Sequence, residues 1–301
     1  MIFDCIIVGG GPAGLNAALV LGRARRKAIM FDDKQPRNFV AHASHGFITR
    51  DGVSPKGFRN LAQLDIDNYP SIERKDETIV SITPTDSTCF TLETTHGQTY
   101  TSKKVILATG LKETLPNING IKDYYGESIF SCPYCNGWEL RDQPLVFISE
   151  KQDAGHMAKL IYHWSKDLIV CTNGTNNLPK ADEQSLQKKG IKIQKDQIIN
   201  LVGAKGQLEK IIFKSGIELN RNGGFVSTDP KQPNGLAVEL GCQLNQDGGI
   251  VVDQLGRTNV DGIYAAGDSA IVNPAKLIVA AAHGVRAAMG VNSDLTTACF
   301  Q

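Results

Sequence analysis

A chain of 301 residues with 41% apolar side chains and 30 glycines is long enough for two compact domains and has the composition of an α/β protein with many tight turns. Its formal charge of +1 gives no electrostatic basis for holding nucleic acid or an anionic bilayer, and no apolar stretch approaches the ~20 residues of a membrane span. The opening run Ile2–Val8 has no basic segment before it and ends in glycines, so it reads as a first strand rather than a leader, and the chain as cytoplasmic.

Ile2–Val8 is apolar at every position but Asp4, as a parallel strand buried on both faces tends to be. Gly9-Gly10-Gly11-Pro12-Ala13-Gly14 follows and opens a helix over Leu15–Gly22; Lys27–Phe31 is the next strand, closed by Asp32. In Gly9-x-Gly11-x-x-Gly14 the first glycine permits the tight turn, the second lets backbone approach a pyrophosphate, and the third allows close helix–strand packing. The helix start adds free N–H groups and the positive end of its dipole. Asp32 stands at the right distance to accept from a ribose hydroxyl, so strand, turn, helix and acid together form a dinucleotide-binding fingerprint.

Polar–apolar alternation over Thr78–Ile82, Cys89–Glu93 and Thr99–Thr101 predicts an antiparallel meander. Val105–Leu107 returns to a buried strand that ends in Ala108-Thr109-Gly110. Pro116 and the polar stretch Asn117–Gly120 mark a crossing into a second domain. That domain holds a strand over Pro144–Ile148, a helix over Ala154–Trp164, a strand over Leu168–Cys171 and further short strands to about Leu240. Ile250–Asp253 and Gly262–Asp268 come back with strand–turn character, and an Ala-rich helix, about Ala275–Met289, closes the chain. The fold class is α/β, with two Rossmann-like three-layer domains, the second inserted in the first: residues 1–114 plus 245–301, and residues 115–244.

Seven cysteines, an odd number, argue against a secreted disulfide scaffold. Cys5, Cys89, Cys171 and Cys242 lie in or beside apolar segments and read as small buried hydrophobes, and Cys299 falls in a terminal tail. Only Cys132 and Cys135, in Cys132-Pro133-Tyr134-Cys135, are spaced for chemistry. No second pair and no nearby pair of histidines completes a zinc site, so no metal is expected and a redox dithiol is the better reading. Cysteines at this spacing close a disulfide and favour a stabilised thiolate, and Pro133 suits a first helical position.

Taken in order, the glycine fingerprint, Ala108-Thr109-Gly110, the Cys132–Cys135 motif and Gly262-x-x-Ala265-Ala266-Gly267-Asp268 resemble the low-molecular-weight thioredoxin reductase family over essentially the whole chain. The resemblance implies FAD, held by Gly9, Gly11, Pro12, Ala13, Gly14, Asp32, Thr109, Gly110, Gly267 and Asp268. It gives Asp268 the ribityl chain and turns the backbone at Lys276, Leu277 and Ile278 toward the pyrimidine end of the isoalloxazine. It also implies that Cys135 serves the flavin, that Cys132 attacks the external disulfide, and that the protein is a homodimer.

The chain departs from that family at two places. Asn136 stands where the thioredoxin reductases commonly carry a proton-relaying aspartate, and an amide cannot titrate. His42 and His45, in the loop after the second strand, are the candidate replacements, since histidine titrates near neutrality; His96, His156, His163 and His283 carry no comparable positional argument. In the second domain the strand Leu145–Ile148 runs into Ser149-Glu150-Lys151-Gln152-Asp153, without the glycines of a second fingerprint and with an acid where phosphate would lie. No arginine follows Leu168–Cys171 to read a 2′-phosphate. These features predict that NADPH does not bind productively. The resemblance then divides between a reductase of thioredoxin-like proteins fed by a ferredoxin or flavodoxin, and a dithiol oxidase of the gliotoxin and holomycin type that closes a disulfide in a small molecule and passes electrons to oxygen. A flavin-bearing redox sensor is a third, non-enzymatic reading.

Overall fold

The side chains of the first strand, Ile2–Val8, enter two different cores, which is why Asp4 is its only polar residue. Cys5 and Ile7 pack with Leu15, Leu21 and Val291 on one side, and Phe3, Ile6 and Val8 with Phe31, Leu107 and Leu236 on the other. In this computed structural model, which describes residues 1–85 and 89–300, the strand pairs in parallel with Ala28–Phe31 and with Thr99–Leu107. Ile72–Lys75 extends the sheet beyond Ala28–Phe31, again in parallel. Thr99–Leu107 serves two neighbours. Its first residues pair antiparallel with Phe90–Thr94, which pairs in turn with Ile79–Pro84, and its last three pair in parallel with Ile263–Ala265.

The expected meander is therefore present, but Thr99–Thr101 and Val105–Leu107 are one strand rather than two. The polar run Ser102-Lys103-Lys104 interrupts the apolar pattern without interrupting the ladder, and Ser102 is buried with its hydroxyl on the Lys104 carbonyl at 2.9 Å. Two further expectations need correction. Ile250–Asp253 forms no strand, only an isolated bridge from Ile250 to Leu244. The closing helix runs Leu277–Cys299, well past Met289, because Val291 and Leu295 keep their apolar stripe on the core while Asn292, Asp294 and Thr296 find partners of their own.

The chain divides into two units. The first holds residues 1–39, 46–112 and 230–300, the second Val40–His45 and Glu113–Asp229. Residues 230–244 thus lie with the first unit rather than the second: Leu236, Ala237 and Cys242 sit in its core. Their apolar positions are too few to carry a period that would assign them from sequence. In the first unit the fingerprint helix, Pro12–Arg23, lies against the closing helix. The two approach so closely that a Cβ on Gly284 would fall into the Ala13 carbonyl.

The second unit has a wholly parallel sheet in the order Lys192–Gln194, Leu168–Cys171, Leu145–Ile148, Gly223–Val226, Ile129–Phe130. An antiparallel meander follows, Ile198–Ala204, Gln207–Phe213 and Glu218–Asn220. Val146, Ile148 and Ile169 face one core, and Leu145, Phe147 and Val170 another. Each unit therefore has the doubly covered parallel sheet expected of a Rossmann-like fold. Among the described residues no helix is long and apolar enough to cross a membrane.

Candidate active site

The dinucleotide cradle is built from loops at the ends of the parallel strands of the first unit. Gly9 leaves the first strand at φ +112°, a conformation costly for any residue with a Cβ, and its N–H donates to the Phe31 carbonyl at 2.8 Å. A Cβ on Gly14 would overlap the Gly9 carbonyl, so this glycine is fixed by helix–strand contact. Gly11 is different. As the residue capping the Pro12–Arg23 helix it has ordinary extended dihedrals, and a Cβ there meets no protein atom within 4 Å. The protein's own packing does not need a glycine at that point; a pyrophosphate lying against the helix start would. The residues present therefore fit a dinucleotide.

Asp32 ends the strand Ala28–Phe31, buried, with its carboxylate accepting from the Lys34 N–H at 3.1 Å and paired with Arg59. Arg59 comes from the helix Pro55–Ile66, an element the sequence reading passed over although Ser54 caps it and Pro55 opens it. Thr109 and Gly110 follow the Thr99–Leu107 strand, with Gly110 at φ +66°. Gly267 packs on Ala13, and Asp268 beside it pairs with Arg37 at 3.1 Å. Ser269 ties this turn to the Leu107 carbonyl at 3.1 Å. Lys276 precedes the closing helix, whose first residues are Leu277 and Ile278; burial disfavours its charged amine and holds the Lys276 pKa below the usual lysine range. The structure thus brings the fingerprint, Asp32, Thr109, Gly110, Gly267, Asp268 and Lys276–Ile278 into one unit.

Cys132 and Cys135 are in the second unit and are joined as a disulfide, with Cα atoms 5.3 Å apart. Cys132 caps the single helical turn Pro133–Asn136, and the Asn136 N–H donates to the Cys132 carbonyl at 3.2 Å. Tyr134 lies on the exposed side of that turn with its ring edge-on to Trp164. Both candidate histidines belong to this unit as well. The His45 Nε2 is 3.6 Å from Glu139, three residues beyond Asn136, with its side chain 22% exposed; His42 is 75% exposed and 2.8 Å from Glu127.

One acid escaped the sequence reading altogether. Glu113 accepts from Ser131, the residue before Cys132, at 3.3 Å, from Thr228 at 3.2 Å and from the Tyr125 hydroxyl. Nothing in the spacing of these residues announces that they meet. Among the described residues no group of three or more His, Cys, Asp or Glu side chains is placed to hold a metal ion.

The turn after Leu145–Ile148 carries side chains where the first fingerprint has glycines, and they are tied to their neighbours. Asn173 donates to the Glu150 carboxylate at 2.6 Å and Asn177 to the Glu150 carbonyl at 2.7 Å. Lys151 turns away onto the Thr228 carbonyl at 2.7 Å. At the start of the following helix, Ala154–Ile161, Gly155 is packed against the Asp182 carboxylate. Where a second pyrophosphate would need glycines and free backbone N–H groups, this turn presents Ser149, Glu150 and Lys151.

Comparison with known proteins shows the family. The model of the pyridine nucleotide-disulphide oxidoreductase family matches residues 3–284. The thioredoxin reductase aclD of Aspergillus oryzae is 30% identical, over 98% of this chain and 96% of its own length. Among solved structures, a Bacillus anthracis protein designated thioredoxin reductase TrxB is 44% identical with a TM-score of 0.94, covering 98% of this chain and 99% of the other. HlmI is 29% identical with a TM-score of 0.92, covering 98% and 93%.

Proposed function

The chain belongs to the pyridine nucleotide-disulphide oxidoreductase family, FAD-binding flavoproteins that act on disulfides, and from that premise we propose that it is a thioredoxin reductase-like enzyme working through Cys132 and Cys135 without NADPH. Its electrons come from a ferredoxin- or flavodoxin-type donor. FAD in the first unit supplies the site that takes and passes an electron pair. Gly9, Gly11, Pro12, Ala13 and Gly14 hold the pyrophosphate, Asp32 a ribose hydroxyl, Thr109, Gly110, Gly267 and Asp268 the ribityl region, and Lys276–Ile278 the pyrimidine edge.

Cys132 exchanges with the substrate and Cys135 with the flavin. Exchange at Cys132 displaces a sulfur that must gain a proton, and Asn136 has none to move. His45 takes that part. The Glu139 carboxylate lies 3.6 Å from its Nε2, and Glu139 stands on the chain that leaves the dithiol. His42, more exposed, is the second choice.

The glycine-free turn after Leu145–Ile148 carries the reading. Glu150 opposes a phosphate there, and Asn173 and Asn177 hold the turn in place. Anaerobic mixing with NADPH and NADH tests it: the flavin should stay oxidised on the timescale of turnover, and rapid bleaching at micromolar NADPH would restore a conventional reductase. Reduction by a dithiol should then produce long-wavelength absorption that Cys132→Ser keeps and Cys135→Ser loses. His45→Ala should slow dithiol turnover by about 10²-fold, the scale of a lost acid–base group, and alter the alkaline limb of the pH profile.

Asn136, the histidine-bearing loop and the gliotoxin- and holomycin-type resemblance of the motifs favour one second reading, a small-molecule dithiol oxidase using oxygen. Thioredoxin reduction with a protein donor and negligible oxygen uptake decides for the reductase; the reverse pattern decides for the oxidase.

A further inference from the structure

Ile129–Phe130 and Gly223–Val226 are neighbouring parallel strands, and the chain leaves their C-terminal ends at Ser131 and Ser227. Glu113 joins these two exits. Its Oε1 accepts from Ser131 Oγ at 3.3 Å and from Thr228 Oγ1 at 3.2 Å, its Oε2 accepts from the Tyr125 hydroxyl, and the Tyr125 and Ser131 oxygens are themselves 3.1 Å apart. Carboxylate oxygens accept, and three hydroxyls converge on this one. Ser131 is the residue before Cys132, so this cluster fixes the chain as it enters the redox pair.

We infer that Glu113 is a positioning residue of the Cys132–Cys135 couple, biasing it toward the disulfide. This rests on the proposal that the pair is redox-active. Two effects act in the same direction. Disulfide stability relative to two thiols rises with the effective concentration at which the chain presents the sulfurs, and tethering Ser131 raises it on the Cys132 side. A carboxylate bonded to the residue before Cys132 also disfavours the thiolate that reduction creates, by like-charge repulsion. In an exchange with an external dithiol the internal S–S bond breaks and one forms in the reagent. The reagent's two protons end on the Cys132 and Cys135 sulfurs, less any that the medium takes from a thiolate.

The test is equilibration of the flavin-loaded protein with mixtures of reduced and oxidised dithiothreitol, reading the reduced fraction by thiol alkylation and mass. Glu113→Gln, which removes the charge and replaces one acceptor by an N–H₂ that the hydroxyls cannot donate to, should shift the equilibrium toward the dithiol by about three- to tenfold, up to ~30 mV for this two-electron couple. Glu113→Asp should recover part of the shift. A role confined to folding would lower the melting temperature and leave the equilibrium where it was, and an unshifted equilibrium in folded Glu113→Gln overturns the inference. Should that variant fail to fold, Ser131→Ala takes its place: cutting the tether should move the equilibrium the same way by about threefold, and no movement is again fatal. If the wild-type pair does not titrate at all, it is the redox assignment of the cysteines that has failed.

Discussion

Gly11 and Gly14 stand three positions apart in one motif and are glycine for opposite reasons, which makes them separable by substitution. Gly14 is held by the protein, since its Cβ position is taken by the Gly9 carbonyl, whereas Gly11 borders open space at ordinary dihedrals. Gly14→Ala should therefore destabilise the flavin-free protein by about 2 kcal/mol or more, the scale of overpacking at a rigid contact. Gly11→Val should cost the flavin-free protein under about 1 kcal/mol, as ordinary helix-cap substitutions do, and yet weaken FAD by at least about tenfold, because its side chain enters the pyrophosphate's place. Urea melts of the apoprotein and quenching of FAD fluorescence read the two effects independently; equal stability losses would refute the distinction. The fingerprint was legible because its reasons are local, a turn and a helix start. The partners of its acids were not. Arg59 reaches Asp32 and Arg37 reaches Asp268 only after the chain has folded, and Glu113 meets Ser131 and Thr228 by the same route.

At the scale of elements, period and punctuation carried the reading where burial is continuous and lost it where polar residues serve tertiary partners. The closing helix is the clearest case. Asn292-Ser293-Asp294 looks like a helix end, yet Asp294 receives a bidentate contact from Arg257 at 2.6 and 2.8 Å together with the Tyr264 hydroxyl, and Arg26 reaches Asn292 and Thr296. Arg257, and with it Tyr264, holds the Asp294 carboxyl below the usual carboxylate range, against the opposing effect of burial. A depressed native pKa stabilises the fold at pH values above the unfolded value and is lost as pH falls through the native one. Asp294→Asn should accordingly cost about 1–3 kcal/mol near neutrality, the scale of a charged hydrogen-bond partner removed. The gap to wild type in urea midpoints should narrow below about pH 4, where an ordinary aspartate protonates. A gap that persists unchanged at pH 3 would mean that the charge contributes nothing and that the loss is one of packing.

For the molecule as a whole, the sequence carried the order of motifs and two α/β domains, but not which core each connecting segment would join. Val40–His45 pack with the second unit and residues 230–244 with the first, assignments decided by contacts such as Val40 on Gly126 and Leu236 in the first core. The division has a thermodynamic consequence. Every residue assigned to FAD lies in the first unit, while the second has its own parallel sheet and two cores of its own. A ligand stabilises what it binds by RT ln(1 + [L]/Kd), about 2.7 kcal/mol at one hundred times Kd. Stripping the flavin at acid pH in high salt and returning the protein to neutrality should therefore lower the melting of the first unit by several degrees. Hydrogen exchange followed by peptide mass should show faster exchange in the Pro12–Arg23 and Leu277–Cys299 helices, where the cradle loses its ligand, with Leu145–Ile148 and Leu168–Cys171 unchanged. Re-addition of FAD should restore both. Uniform loss of protection across the two sheets would show instead that the second unit depends on the cofactor for its fold, and that the two cores do not stand alone.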